Sequence, residues 1–232
     1  TETAKRLRGR IEMVLDWAGA RGFREGPNPA RWRGHLDKLL AKPSKVHRIV
    51  HHRALPIDEI SAFMTRLRAA EGVGARALEF AILTAARSGE VRGATWKEID
   101  LDARLWTISA ERMKAAREHR APLSDAAVAV LKAMPPGRPE SYLFRAAHGG
   151  RLSDMTISSV LRRLEVDAVP HGFRSTFRDW VAERTAYPNE VAEMALAHAV
   201  GNKVEAAYRR GDLFEKRLAM MNDWGRFCAG EA

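Results

Sequence analysis

The sequence of 232 residues holds a single cysteine, Cys228, and three tyrosines, and it has no apolar run long enough to span a bilayer. A lone cysteine cannot close an internal disulfide. With no Cys/His spacing of the zinc type either, both a disulfide framework and a structural zinc are excluded. No signal peptide opens the chain, so the expectation is a soluble, intracellular protein. Internal repeats and low-complexity tracts are also missing.

What is present points to a polyanionic partner. Hydrophobic residues make up 46% of the chain, which excludes wholesale disorder, and the length suits one large domain plus a partial one. Lys+Arg number 39 against 29 Asp+Glu, a formal charge of +10 and a pI near 10.2, and nucleic acid is the first candidate for such a surface. The excess is concentrated: residues 1 to 56 carry 13 basic and 5 acidic side chains, which leaves 26 against 24 for the rest. In that quarter Ile11, Val14, Leu15 and Ala18 recur at helical spacing, Gly26-Pro27-Asn28-Pro29 breaks the chain, and Leu36, Leu39 and Leu40 begin a second amphipathic face. Two such helices cannot bury a core alone. Because Thr1 already falls inside a helix, the chain is expected to be a piece of a longer protein. The basic connector that follows offers Lys42, Lys45, Arg48 and Arg53 to phosphates, or else is a solvated linker. Its adjacent His51 and His52 are poorly spaced to chelate one metal ion.

Beyond Pro56 the periodicity predicts helices over 57–70 and 75–86, a strand at 105–108, a turn carrying Lys114, and a return strand over 117–123. Ser124 and Asp125 cap the next helix, which stops at Pro135-Pro136-Gly137. Helices are expected again over 153–164, 173–184, 188–197, 203–210 and 213–227. In the last, Leu218, Met221 and Trp224 form an apolar stripe that packs on its own core or on a neighbour's. The fold class is mainly α with a small antiparallel sheet.

Several side chains stand out against this background. Arg87 ends an apolar helix beside Gly89, where a core would prefer an uncharged residue. Its planar guanidinium can grip two phosphate oxygens and keeps its charge. Glu90, three residues on, either steadies that neighbour or is a solvated carboxylate. His171 and Arg174 share a face at a helix start, where backbone N–H groups favour an anion, and with Phe173, Phe177, Trp180 and Val181 on the buried face the polar pair is expected to point elsewhere. Lys114 lies in a turn between strands, and His198 lies at a helix end. Tyr208 sits between Ala206-Ala207 and Arg209-Arg210, poor company for a core tyrosine, whereas Tyr142 and Tyr187 adjoin prolines or glycines.

Six runs occur in order: Thr84-Ala85-Ala86-Arg87-Ser88-Gly89-Glu90-Val91, Trp96-Lys97-Glu98-Ile99-Asp100, Met113-Lys114 with His119-Arg120-Ala121-Pro122-Leu123-Ser124, His171-Gly172-Phe173-Arg174, Leu196-Ala197-His198, and Ala207-Tyr208-Arg209-Arg210. Each is weak alone, but in this order they resemble the tyrosine recombinases, and within them the prophage and genomic-island integrases. The resemblance spans roughly residues 54 to 228. It implies a tyrosine-recombinase catalytic domain over 54–232, with 1–53 as the C-terminal part of a helical core-binding domain plus a basic linker.

The resemblance also implies roles. Arg87 and Arg174 clamp the scissile phosphate, Glu90 buttresses the site, and His171 assists proton transfer and binds an oxygen. Lys114 protonates the leaving 5′ oxygen, His198 is the second histidine, and Tyr208 is the nucleophile of a 3′-phosphotyrosyl intermediate. Ala197 stands where the family often has glycine. No ATP, metal or other cofactor is implied. The implied partners are double-stranded DNA attachment sites and, on synapsed DNA, a homotetramer, in the bacterial cytoplasm. A non-catalytic basic DNA-binding module, a metal-dependent nuclease and a type IB topoisomerase are the competing readings. The nuclease would need clustered carboxylates, and none converges in these motifs.

Overall fold

A computed structural model of the chain describes residues 2–41, 52–198 and 211–231. The chain divides into two compact units, Thr1–His51 and His52–Ala232.

In the first unit α1 (Glu2–Ala20) is a regular amphipathic helix that buries none of its residues; Leu7, Ile11, Val14 and Trp17 are all exposed. The Gly26–Pro29 break folds back on it through one side chain. Asn28 Nδ2 donates to the Glu12 carbonyl at 2.8 Å and to Asp16 at 2.7 Å, while its Oδ1 accepts from Ala30 N–H. The expected second amphipathic helix is reduced, within the described residues, to a broken turn at Trp32–Leu36 and a single turn at Asp37–Leu39. Arg33 is extended and Gly34 takes a φ of 77°, which breaks the chain ahead of Leu36, and the helix begun there stops after one turn at Leu40, which is extended.

The second unit is mainly helical with one three-stranded antiparallel sheet, the fold class expected from the sequence. Its helices are α2 (Ile60–Ala69), α3 (Val73–Leu83), α4 (Ser88–Arg92), α5 (Asp125–Lys132), α6 (Asp154–Arg163), α7 (Gly172–Arg184), α8 (Asn189–Ala195) and α9 (Phe214–Ala229). α3 is buried along most of its length and is the central element, packed by α2, α4, α5, α6, α7 and α9. Its one buried carboxylate, Glu79, is paired with Arg68 and Arg76, each at 2.8 Å. α9 packs on the core of its own chain: Met220, Met221, Trp224 and Cys228 are buried, and the Trp224 indole N–H donates to the Ile82 carbonyl at 2.9 Å.

Strands β1 (Ile99–Asp100), β2 (Leu105–Ile108) and β3 (His119–Pro122) lie in that order, with Trp106 opposite Ala121 and Ile108 opposite His119. Trp106 and Ile108 alternate inward, as a half-buried strand requires. The proline of β3 is tolerated because that strand is an edge. Ser124 caps α5 as expected, its hydroxyl accepting from Ala127 N–H at 3.2 Å.

The chain enters this unit along the start of α7. The Arg53 carbonyl accepts from Val169 N–H at 3.1 Å, and Thr176 Oγ1 donates to the Leu55 carbonyl at 2.6 Å. A Cβ on Gly172 would coincide with the Arg53 carbonyl, so only glycine fits there.

Candidate active site

Two helix ends and one buried arginine build the site. α3 closes with Ala85 at a φ of 50°, Ala86 N–H donating to Ala81 O and Ala85 N–H to Ile82 O, each at 3.1 Å. α8 closes the same way. Ala197 takes a φ of 49°, His198 N–H donates to Glu193 O at 2.9 Å, and Ala197 N–H to Met194 O at 3.1 Å. Glycine is the usual residue at this left-handed position, because a Cβ costs roughly 1–2 kcal/mol there. The alanine at 197 therefore keeps the backbone form that a glycine would adopt.

Arg174, on the first turn of α7, reaches between the two ends. Its Nη1 donates to the Ala85 carbonyl, and its Nη2 donates to the Leu196 carbonyl at 2.6 Å and lies 3.1 Å from His198 Nε2. The polar pair His171/Arg174 was expected to point away from the buried face of α7, yet Arg174 is only 5% exposed. Burial is tolerated because carbonyls at the negative ends of two helices receive the guanidinium. Those carbonyls leave its charge uncancelled. Burial foremost, and then the nearby Arg87 charge, outweigh Glu90 and Glu193 and bring the Arg174 pKa down to about 10. Among the described residues Arg174 Nε has no hydrogen-bond partner.

Arg87 does not end α3, as its sequence context suggested. The left-handed Ala85 turns the chain, and Arg87 becomes the residue that precedes α4. The buried Glu90 carboxylate accepts both the Arg87 backbone N–H, at 2.9 Å, and its Nη1, at 2.8 Å. His171 precedes α7, with its ring edge-on to His52 at 4.8 Å. Burial, followed by the charges of Arg174, His52, Arg87 and His198, lowers its proton affinity, so the imidazole is neutral near pH 7. His198 Nδ1 meets Glu193 Oε2 at 2.8 Å, and Glu193 Oε1 accepts from Arg178 Nε at 2.7 Å.

Lys114 is exposed in the turn between β2 and β3. Arg53 is engaged in an exposed ion pair with Asp167. Lys42, Lys45, Arg48, Tyr208 and the helix expected over 203–210 lie outside the described residues. Just beyond that stretch, Arg217 is 2% exposed and joins Asp212 to β3. It donates to the Asp212 carboxylate at 2.8 Å, to the Asp212 carbonyl at 2.7 Å, and to the Arg120 carbonyl. Among the described residues no three His, Cys, Asp or Glu side chains group to hold a cation, and no helix is long and apolar enough to cross a membrane.

The helical unit with its small sheet has the fold of integrase catalytic domains. The chain superposes on the integrase of mycobacterium phage Brujita with a TM-score of 0.59 at 18% identity, covering 97% of this chain and 75% of that one. A lambda integrase tetramer bound to a Holliday junction gives 0.60 at 17% identity, over 87% of this chain and 60% of that one. The phage integrase family model matches residues 53–213, and the model of the phage integrase central domain matches residues 1–35. The chain belongs to the phage integrase family. Prophage integrase IntA of Escherichia coli K12 is 33% identical over 230 residues, 96% of this chain and 54% of IntA. The chain thus spans about half the length of the curated relatives it matches.

Two side chains in the cluster were not singled out from the sequence. Glu193 stands five residues before His198, a spacing that puts them on different faces of a continuous helix. They meet only because the Ala197 turn reverses the chain. His119 lies within a recognised run but was given no role. Burial, then Arg217, Arg174 and Arg87, overcome the opposing Glu90 charge and lower its pKa to about 4.

Proposed function

We propose that the chain is the catalytic part, with a portion of a DNA-gripping module, of a site-specific DNA recombinase that integrates or excises a mobile element. The observation that supports this most is the uncancelled positive charge around Arg174, which lies among Arg87, His171 and His198 and is held by carbonyls instead of carboxylates. An anion with several acceptor oxygens complements such a cluster, and a phosphodiester passing through a pentacoordinate state does so best.

In this reading Tyr208 attacks the phosphorus, the P–O5′ bond breaks, and the 3′-phosphoryl group is carried on the phenol oxygen. The neutral His171 imidazole takes the phenol proton, and Lys114 delivers one to the departing 5′ oxygen. Arg87, Arg174 and His198 hold the nonbridging oxygens, with Glu90 steadying Arg87. A partner strand's 5′ hydroxyl reverses the step and conserves the bond energy, so neither ATP nor a metal is needed.

Of the other tyrosines, Tyr187 donates to Asp223 at 2.6 Å. Burial together with that bond pushes its pKa up to about 12, which unfits it as a nucleophile. Residues 54–232 would carry the chemistry. Residues 1–53, with Lys42, Lys45, Arg48 and, on release from Asp167, Arg53, would grip the duplex backbone. Four protomers on two synapsed attachment sites, in the bacterial cytoplasm, complete the proposal.

The test is a nicked duplex that traps the cleaved state. The wild-type chain should form a covalent protein–DNA adduct and should still do so in excess chelator. Tyr208→Phe should bind the duplex and form none. An adduct from Tyr208→Phe would remove Tyr208 from the nucleophile role. Loss of cleavage in chelator, restored by magnesium, would move the protein to the metal-dependent nucleases.

A further inference from the structure

Glu193 holds His198 twice, through its backbone carbonyl at the helix end and through its carboxylate at Nδ1, at 2.9 and 2.8 Å. A carboxylate only accepts, so Nδ1 must carry the proton. In the neutral ring Nε2 is then a lone-pair acceptor, and it faces an Arg174 Nη2 donor at 3.1 Å. The carboxylate itself cannot swing away. Its other oxygen takes Arg178 Nε at 2.7 Å, and the Arg178 Nη2 is in turn bound to Asn189 at the start of α8. Burial raises the proton affinity of Glu193, but the hydrogen bonds from Arg178 and His198 outweigh it and keep the group ionised. The charged groups facing His198 are Glu193 on α8, together with Arg174 and His171 at the start of α7, with Arg178 behind Glu193.

We propose that Glu193 is a positioning residue for strand cleavage: it fixes the tautomer of His198 and supports its charge when a phosphate oxygen replaces Arg174 at Nε2. That oxygen needs a donor where the DNA-free protein has an acceptor. The ring must therefore gain a proton at Nε2, and an adjacent carboxylate makes that gain favourable. Arg178 keeps the carboxylate aligned.

The inference rests on the proposed contact between His198 and the scissile phosphate, and the test separates the two. Single-turnover cleavage of the nicked duplex is followed across the pH range for the wild-type chain, Glu193→Gln, His198→Ala and the double variant. Glutamine keeps one oxygen acceptor for Nδ1–H, loses the charge, and presents an NH2 to Arg178 in place of the second oxygen. Glu193→Gln should bind DNA as the wild type does, cleave roughly 10-fold more slowly near neutrality, and move the alkaline limb of its rate profile down by about one pH unit. In the His198→Ala background the same change should cost nothing further. An equal loss in both backgrounds, or an unmoved limb, would overturn the proposal. Should the wild-type chain form no adduct at all, the recombinase reading falls. The tautomer is then read by nitrogen-edited NMR of the DNA-free imidazole, where a single Nδ1–H form that gives way to a mixture of tautomers in Glu193→Ala upholds the role of Glu193 and an unchanged tautomer ends it.

Discussion

At the end of α3 the chain leaves the Ala85 turn directly into Arg87 and a second helix. At the end of α8 the Ala197 turn delivers His198, whose ring faces back onto its own helix. Both ends place a cationic or protonatable side chain beside a carboxylate, but from opposite directions. Glu90 lies downstream of Arg87 and is buried, whereas Glu193 lies upstream of His198 and is partly exposed. One backbone turn can thus serve two electrostatic purposes. The first end fixes a guanidinium, and the second holds a histidine through both a backbone carbonyl and a carboxylate. Arg174 is the shared part, because each end gives it a carbonyl.

The largest break in this pairing should come from Arg174→Lys. An ammonium lacks the planar fork that reaches both carbonyls, so one end should be left with an unmet acceptor. Cleavage should fall on the order of 10²- to 10³-fold, as when an oxyanion donor is removed, and chemical denaturation should show a loss of about 1–3 kcal/mol. Full activity in this variant would mean that the two ends do not act through one guanidinium.

A smaller effect should come from His119, which feels Arg87 and Glu90 at the first end. Its pKa is lowered from 6.5 to about 4 on folding, so the unfolded chain takes up the proton first as the medium is acidified. The associated stability is complete above the unfolded value and drains away as pH falls from 6.5 towards 4. The loss amounts to about 3 kcal/mol at most, less whatever solvent screens. His171, also lowered, adds in the same sense. Urea titrations across that window should give a flatter pH dependence for His119→Gln, and an unaltered slope would assign the acid sensitivity elsewhere.

The mildest probe is glycine at each turn. Relief of the left-handed strain is worth roughly 1 kcal/mol, partly returned as extra freedom of the unfolded chain. Ala85 also has its methyl group in the core, and losing that burial costs a comparable amount, about 0.8 kcal/mol. Ala197→Gly should therefore raise the thermal midpoint, and Ala85→Gly should leave it nearly unchanged. The reverse order would show that the two turns carry different strain.

The parts of the fold written in local signals were legible in the sequence. The strand at 105–108 and its return partner follow from alternation and turn residues, and the start of α5 from the Ser124 cap. What escaped was decided by backbone forms or distant partners. Alanines at 85 and 197 adopt a conformation that glycine normally advertises, so the extent of α3 and the meeting of Glu193 with His198 left no pattern. The spacing of Leu36, Leu39 and Leu40 predicts a second helix in the first unit, but within the described residues it stops at the extended Leu40, which no residue type announces. The apolar stripe of α9 fits a core in its own chain or in another. The Trp224 bond to Ile82, across most of the domain's sequence, decides between them. Residue type and context single out Arg87 and Arg174, and the structure brings the two into one cluster. Context and family order alone single out Tyr208, whose position lies outside the described residues.

The close approach of Arg53 to Gly172 bears on how such proteins can exchange modules. A segment that lies on the first turn of α7, with His52 against His171 and Leu55 bound by Thr176, is packed into the second unit from His52 onward. A recombination junction that preserves function therefore has to fall before His52. Grafts that carry a foreign connector past that point would import a mismatched neighbour for the histidine, even where both parental units fold.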